Sequence, residues 1–275
     1  MSRSPKVISM PELTVALHGA IIGHLRGAGA DFDFRPTPEA VRTWGMNSRM
    51  LSLAVPLLPR PPASGRALRR SFFAELLPEG DARERLANEA RVRKDDIMGM
   101  LAAFGRDVAG AVQIWDTSAP GEPRTPAVEP LDDSGVRTML ENVAIAPLGN
   151  KPRRGKTSLN GVQPKVVLVR TDDGWARAVD GWPSTHIAKP VVPKYQSMIF
   201  DEEYGSRFAR ALGHRKNRAA RRRRASTADA DALSCCGKPR SAHEEFLAAA
   251  FARRCRPPRP DVRRRSATLL RRYRW

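Results

Sequence analysis

Apolar and polar positions along the first third of the chain alternate in short runs. Thr14-Val15-Ala16-Leu17 and Ala20-Ile21-Ile22 flank His18-Gly19, a pair suited to a tight turn, and Asp31-Phe32-Asp33-Phe34-Arg35 repeats with period two. Leu13 to Arg35 therefore predicts a β-meander. Thr37 followed by Pro38 predicts a helix start, with an N-cap hydroxyl and proline at the first helical position. Met50 to Val55 reads as a strand. Two helices are predicted between Gly65 and Glu89, with Phe72, Phe73, Leu76 and Leu77 as a buried stripe and Arg83, Glu84 and Arg85 on a solvated face. Pro78-Glu79-Gly80 separates them and Asp81 caps the second, Ala82 to Ala90. Asp95-Asp96 caps Ile97 to Phe104, which stops at Gly105, and Ala109 to Trp115 is a strand of small residues packed close to a neighbour.

The pattern changes after Asp116. Pro120, Pro123, Pro126 and Pro130 mark a connector, and Asp132-Asp133-Ser134 opens a helix running to Asn142. Thr157 to Lys189 then reads as strand, loop, strand and strand. Thr157 to Lys165 is a small-residue loop, Val166 to Val169 an apolar strand, Thr171 to Gly174 a turn, and Ser184 to Lys189 a closing strand. Such a loop ahead of a β-branched strand gathers several backbone N–H groups at one point and holds an anion, to which Lys189 adds a point charge. An ATP-grasping lobe is built this way. An ordinary meander with a solvated lysine fits the same residues, because the loop has one glycine and matches neither G-x-x-x-x-G-K-[ST] nor G-x-G-x-x-G. Asn150 to Lys156 is a basic approach to the loop, either a mobile surface segment or added positive potential near phosphates. His186 faces away from Lys189 and reads as a packed histidine. Asp201 to Tyr204 opens a helix with Phe208, Ala209 and Leu212 on one face, ending at Gly213.

Composition alters the picture mainly at the C-terminal end. The 275 residues carry 48 Lys and Arg against 29 Asp and Glu, a net +19. Residues 214–275 contribute +14 of it, and residues 1–213 only +5, so the body itself lacks the basicity of a nucleic-acid-binding domain. Cys235, Cys236 and Cys255 all lie in that last segment, a usage suited to a reducing cytosol and to no disulfide framework or zinc spacing. Met1 to Lys6 shows no apolar signal core and no apolar run reaches a membrane span, so a soluble cytoplasmic protein is expected.

Three separated segments carry a family resemblance. Ser158-Leu159-Asn160-Gly161-Val162-Gln163-Pro164-Lys165 followed by Pro183-Ser184-Thr185-His186-Ile187-Ala188-Lys189-Pro190, the stretch Phe72 to Leu86, and Gly105 to Gln113 together resemble the HipA family of serine/threonine kinases, the toxin subunits of type II toxin–antitoxin pairs. The resemblance covers roughly residues 10 to 213. It implies an α+β fold: an N-terminal domain at 1–116 with a scaffold or docking role, a linker at 117–130, a partial kinase lobe at 131–213, and a tail at 214–275 outside the family. It implies ATP and Mg2+ as cofactors and Ser158, Leu159, Asn160, Gly161, Val162, Gln163, Lys165, Lys189 and Glu203 as nucleotide-site residues. Ser158 is the implied autophosphorylation site, and an added phosphate there would displace the loop. Lys189 with Glu203 is the implied kinase-like pair; Glu202 stands where the family leads one to expect asparagine. Implied partners are a HipB-like DNA-binding antitoxin, DNA indirectly through it, and a protein substrate such as an aminoacyl-tRNA synthetase. No catalytic base and no metal ligand is assigned.

The tail departs from the family. Only 7 of its 62 residues are Leu, Ile, Val or Phe, too few to bury a core, and Arg221 to Arg224 and Arg263 to Arg265 are like-charge blocks. A mostly disordered tail is expected, with one capped helix after Ser241 and with Asp229, Asp231 and Asp261 as its only aspartates. The simplest reading is a change of reading frame near His214, leaving the kinase inactive; the alternative is a non-enzymatic remnant that binds an antitoxin or nucleic acid. Limited trypsin digestion should leave a resistant fragment ending near Gly213. A tail that survives digestion beside the body would contradict this.

Overall fold

The structure, a computed structural model, describes residues 11–190, 197–212, 220–221 and 234–237. Strands β1 (Glu12–Leu17), β2 (Ala20–Ala28) and β3 (Asp31–Pro36) form the expected meander, joined by a turn with φ of 51° at His18 and 80° at Gly19. Both central residues have positive φ, which matches the right-handed strand twist. Helices α1 (Pro38–Trp44), α2 (Arg66–Ala74), α3 (Gly80–Ala90) and α4 (Ile97–Phe104) follow, and β4 (Val112–Trp115) returns to pair antiparallel with β1, giving the order β3-β2-β1-β4. Thr37 and Asp96 cap α1 and α4 as their spacing predicts, accepting from the amides of Ala40 and Gly99.

Two details differ from the sequence pattern. Met50 to Val55 is not a strand: Ser52 accepts from Ala54 N through its hydroxyl and from Val55 N through its carbonyl, closing the segment into a turn. Helix α3 starts at Gly80, with Glu79 at its N-cap and no side-chain cap, so Asp81 sits inside the first turn near the helix dipole. Phe73, Leu76 and Leu77 are buried as expected, and Phe73 meets the rings of Phe32, Phe34 and Phe72 at 5.0–6.3 Å.

The second sheet begins inside the expected connector. β5 (Ala127–Leu131) is an edge strand, where Pro130 removes no needed ladder bond, and it pairs with β7 (Gly174–Val179). Helix α5 (Asp133–Glu141), β6 (Val166–Thr171), β8 (His186–Lys189) and α6 (Met198–Ala211) complete the lobe. Two short strands, β9 (Ala220–Arg221) and β10 (Ser234–Gly237), extend the sheet beyond β8 to the order β5-β7-β6-β8-β10-β9. These two short strands are all of the tail beyond residue 213 that the structure describes, and the helix expected after Ser241 lies outside the described residues. The two sheets share a core, since Leu148, Leu159 and Val167 pack into the cluster around Phe34, Phe73 and Met100. Among the described residues no helix is long and apolar enough to cross a membrane.

One buried ion pair fixes the meander to α2. Arg69, 2% exposed, donates from Nε to Asp33 Oδ1 at 2.7 Å and from Nη2 to Asp33 Oδ2 at 2.9 Å, and Nη2 also reaches the Pro62 carbonyl at 3.1 Å. Burial raises the Asp33 pKa, but Arg69, the Phe34 amide and Arg35 outweigh it and leave the carboxyl below its usual value. Arg69→Met leaves that carboxylate buried and unpaired, and should cost about 3–5 kcal/mol in chemical denaturation. A group with a lowered folded-state pKa contributes stability above its unfolded pKa and loses it as pH falls through the folded one. Wild-type stability should therefore drop below about pH 4, a carboxyl's ordinary range, more steeply than that of Asp33→Asn. Equal slopes would contradict this.

Candidate functional site

The glycine-containing loop is seated on the N-terminal domain by Asp107, just after α4. The Thr157 hydroxyl donates to Asp107 Oδ2 at 2.8 Å, and the Ser184 amide donates to Oδ1 at 3.1 Å. Backbone bonds run beside them, from Ser158 N to the Asp107 carbonyl at 3.0 Å and from Asp107 N to the Lys156 carbonyl at 3.1 Å. Asn150 brackets Thr157 with both ends of its amide. Ser158 is fully buried and donates from Oγ to the Leu76 carbonyl at 2.8 Å, while Asn160 Nδ2 reaches Glu75 Oε2 at 3.0 Å. The turn after α2 thus forms the floor of the loop.

Beyond Ser158 the backbone opens. The amides of Leu159, Asn160, Gly161, Val162 and Gln163 donate to no acceptor among the described residues. Gly161 has φ of 101°, and a Cβ there would lie 3.1 Å from Lys165 Nζ. Lys165 folds back beneath the loop and donates to the carbonyls of Asn160 at 2.9 Å and Gly161 at 3.3 Å. The β6–β8 register pairs Val166 with Ala188, so one step further sets Lys165 opposite Lys189. Burial chiefly, and then the charge of Lys189, lower the Lys165 pKa, with Glu79 and Glu202 acting against them. Two ammonium groups on adjacent strands repel, and Glu202 on α6 relieves this by pairing with Lys189. Unpaired loop amides and clustered lysines are the kind of groups from which an anion receptor is built.

The structure corrects the expected kinase-like pair. Lys189 meets Glu202, whereas Glu203 turns along the helix to Arg207, four residues on. Adjacent helical residues point about 100° apart, so only one of the two glutamates can face β8. The basic approach is neither a bare mobile segment nor a free field: Lys151 and Arg154 pair with Glu129, Arg154 with Asp180, and Lys156 with Glu122. His186 is packed as expected, edge-on to Trp175 at 5.1 Å with Nδ1 2.8 Å from the Thr185 hydroxyl. The partner of the Ser158 hydroxyl lies 82 residues upstream. The Asp107 node and the Glu202 contact escaped the sequence reading. The Gly105-Arg106-Asp107 segment was the available signal for the first, and the adjacent acids at 201–203 for the second.

Among the described residues no group of three or more His, Cys, Asp or Glu side chains is placed to hold a metal ion. Asp229, Asp231 and Asp261 lie outside the described residues.

Comparison with known proteins places this architecture. The family model described as the HipA N-terminal domain matches residues 13–115. The kinase-like protein Y4mE of Sinorhizobium fredii is 31% identical over 174 residues, spanning 62% of this chain and 41% of that one. A serine/threonine-protein kinase toxin HipA of Shewanella oneidensis is 28% identical over 205 residues, 73% of this chain and 45% of that one. A solved structure of HipA, HipB and operator DNA from Shewanella oneidensis superposes with a TM-score of 0.58 at 25% identity, over 90% of this chain and 52% of that one. The chain spans less than half the length of these curated relatives. Residues 13–115 thus match the HipA N-terminal domain, and the likeness of the chain to HipA proteins continues through its second sheet.

Proposed function

We propose that this chain is the docking domain and nucleotide-grasping lobe of a HipA-type serine/threonine kinase toxin, and that by itself it binds ATP weakly and transfers no phosphate. The observation that carries the first part is the loop: free amides at Leu159 to Gln163 above Lys165 and Lys189. In this reading the ATP phosphates rest on those amides, with both lysines as counter-charges. Glu202 holds Lys189 in position, as a helix glutamate does in kinase lobes. ATP would supply the transferable phosphoryl group, and the chain's own residues bind and orient it.

Transfer also requires a carboxylate to orient the attacking hydroxyl and oxygen ligands for Mg2+. The Arg-rich composition of residues 214–275 supports no folded lobe that would hold such groups to within fractions of an ångström. The outer stripe of α6, Phe200, Tyr204, Phe208 and Leu212, is 52–73% exposed, which suits a lobe whose other half is not in place. Self-phosphorylation at Ser158 meets a further obstacle, because its hydroxyl is buried against Leu76 and the loop must leave its seat first. The likeness to the HipA–HipB–DNA assembly supports a HipB-like antitoxin as the partner of this chain in the cytosol, with DNA reached through it.

Calorimetry with ATP on the full chain tests the site, and labelled ATP with Mg2+ tests transfer. Binding should be weak and fall at least tenfold in Lys189→Ala, and no label should enter Ser158. Tight binding indifferent to Lys189→Ala would overturn the site, and label at Ser158 that is absent from the variant would overturn the inactivity.

A further inference from the structure

Glu122, in the linker that joins β4 to β5, has a side chain only 8% exposed and faces three cations. Lys156 Nζ lies 2.8 Å from Oε1, Arg124 Nε 3.4 Å from the same oxygen, and Arg106 Nη1 4.0 Å from Oε2. The Lys156 side chain is itself 12% exposed. Arg106 is buried, and its Nε and Nη1 make no hydrogen bond among the described residues. A guanidinium stays charged, so the Glu122 carboxylate and the Trp115 face at 5.2 Å compensate it. Burial disfavours the charged form of Arg106, and Glu122 acts against that shift.

The places of these partners in the chain give the carboxylate its leverage. Arg106 and Lys156 stand one residue ahead of Asp107 and Thr157, the pair that seats the nucleotide loop. The two segments run parallel there, and Asp107 N donates to the Lys156 carbonyl at 3.1 Å. One carboxylate from the linker therefore holds both sides of the seat. Arg124 extends the hold, because it reaches Asp180 at 3.4 Å and the Arg153 carbonyl at 2.9 Å, and Asp180 also pairs with Arg154. Taking Glu122 away leaves Arg106 and Lys156 as largely buried cations beside the same gap, and their repulsion then falls on the seat.

We infer that the linker is a latch on the nucleotide loop: Glu122, through Lys156 and Arg106, is a positioning residue that keeps Thr157 on Asp107 and Ser158 out of reach. What release of the latch does to ATP rests on the nucleotide-site reading, whereas the latch itself does not. Thiol labelling of the full chain without nucleotide tests it. The three native cysteines, all beyond residue 213, are first replaced by serine. Ser158→Cys then reports opening of the seat, and Ala176→Cys, at a buried position of β7, reports opening of the lobe as a whole. Glu122→Gln should speed labelling at position 158 at least tenfold and leave position 176 unchanged. Lys156→Gln removes the other half of the closest pair and should act in the same way, and it decides the matter should Glu122→Gln fail to fold. Unchanged labelling at position 158, or equal acceleration at both positions, would overturn the latch. With no nucleotide present, loss of the ATP site by calorimetry and loss of the latch by labelling are separate results.

Discussion

Asp107 occupies the junction on which the arrangement of the two sheets depends. One carboxylate receives Thr157 from the loop and Ser184 from the segment before β8, while its own backbone bonds to both sides of Thr157. A buried carboxylate cannot be left with open acceptors cheaply, so the loop and the β8 approach are drawn to one point. That placement has a further effect. Ser158 is tied to Leu76, and the amides from Leu159 to Gln163 find no acceptor among the described residues.

Electrostatics then determines what the exposed amides meet. Lys165 and Lys189 face one another across β6 and β8, and burial with mutual repulsion depresses the Lys165 pKa. Glu202 and Glu79 offset part of this, but neither meets Lys165 directly in the way Glu202 meets Lys189. A polyanion arriving there would relieve the remaining repulsion, and its binding would then couple to local stability in this lobe. Of the basic residues near the loop, Lys151, Arg154 and Lys156 do not compete, because they are already paired with Glu129, Asp180 and Glu122.

Much of the fold was legible locally. The β1–β3 meander follows from period-two alternation and a His-Gly turn, and α1 and α4 from their caps. Where the reading failed, the deciding contact was distant or rotational. The Arg69–Asp33 pair joins residues 36 apart with no local pattern to announce it. Pro130 suggested a connector because proline is excluded from central strands, yet an edge strand accepts it. Met50 to Val55 has strand composition, but a serine-closed turn prevails. Helix spacing alone could not choose between Glu202 and Glu203, since that depends on the rotation of α6 against β8. The loop and both lysines were visible in order, and only the structure showed the free amides.

The central claim is that the loop amides, held open by Asp107, receive the nucleotide phosphates. An NMR titration of the full chain with ATP, following backbone amides, tests it directly. The account predicts shifts concentrated on Leu159 to Gln163, weakened and dispersed when Asp107→Ala releases the loop. Shifts that fall elsewhere, or that persist at the same ATP concentration in Asp107→Ala, would contradict it.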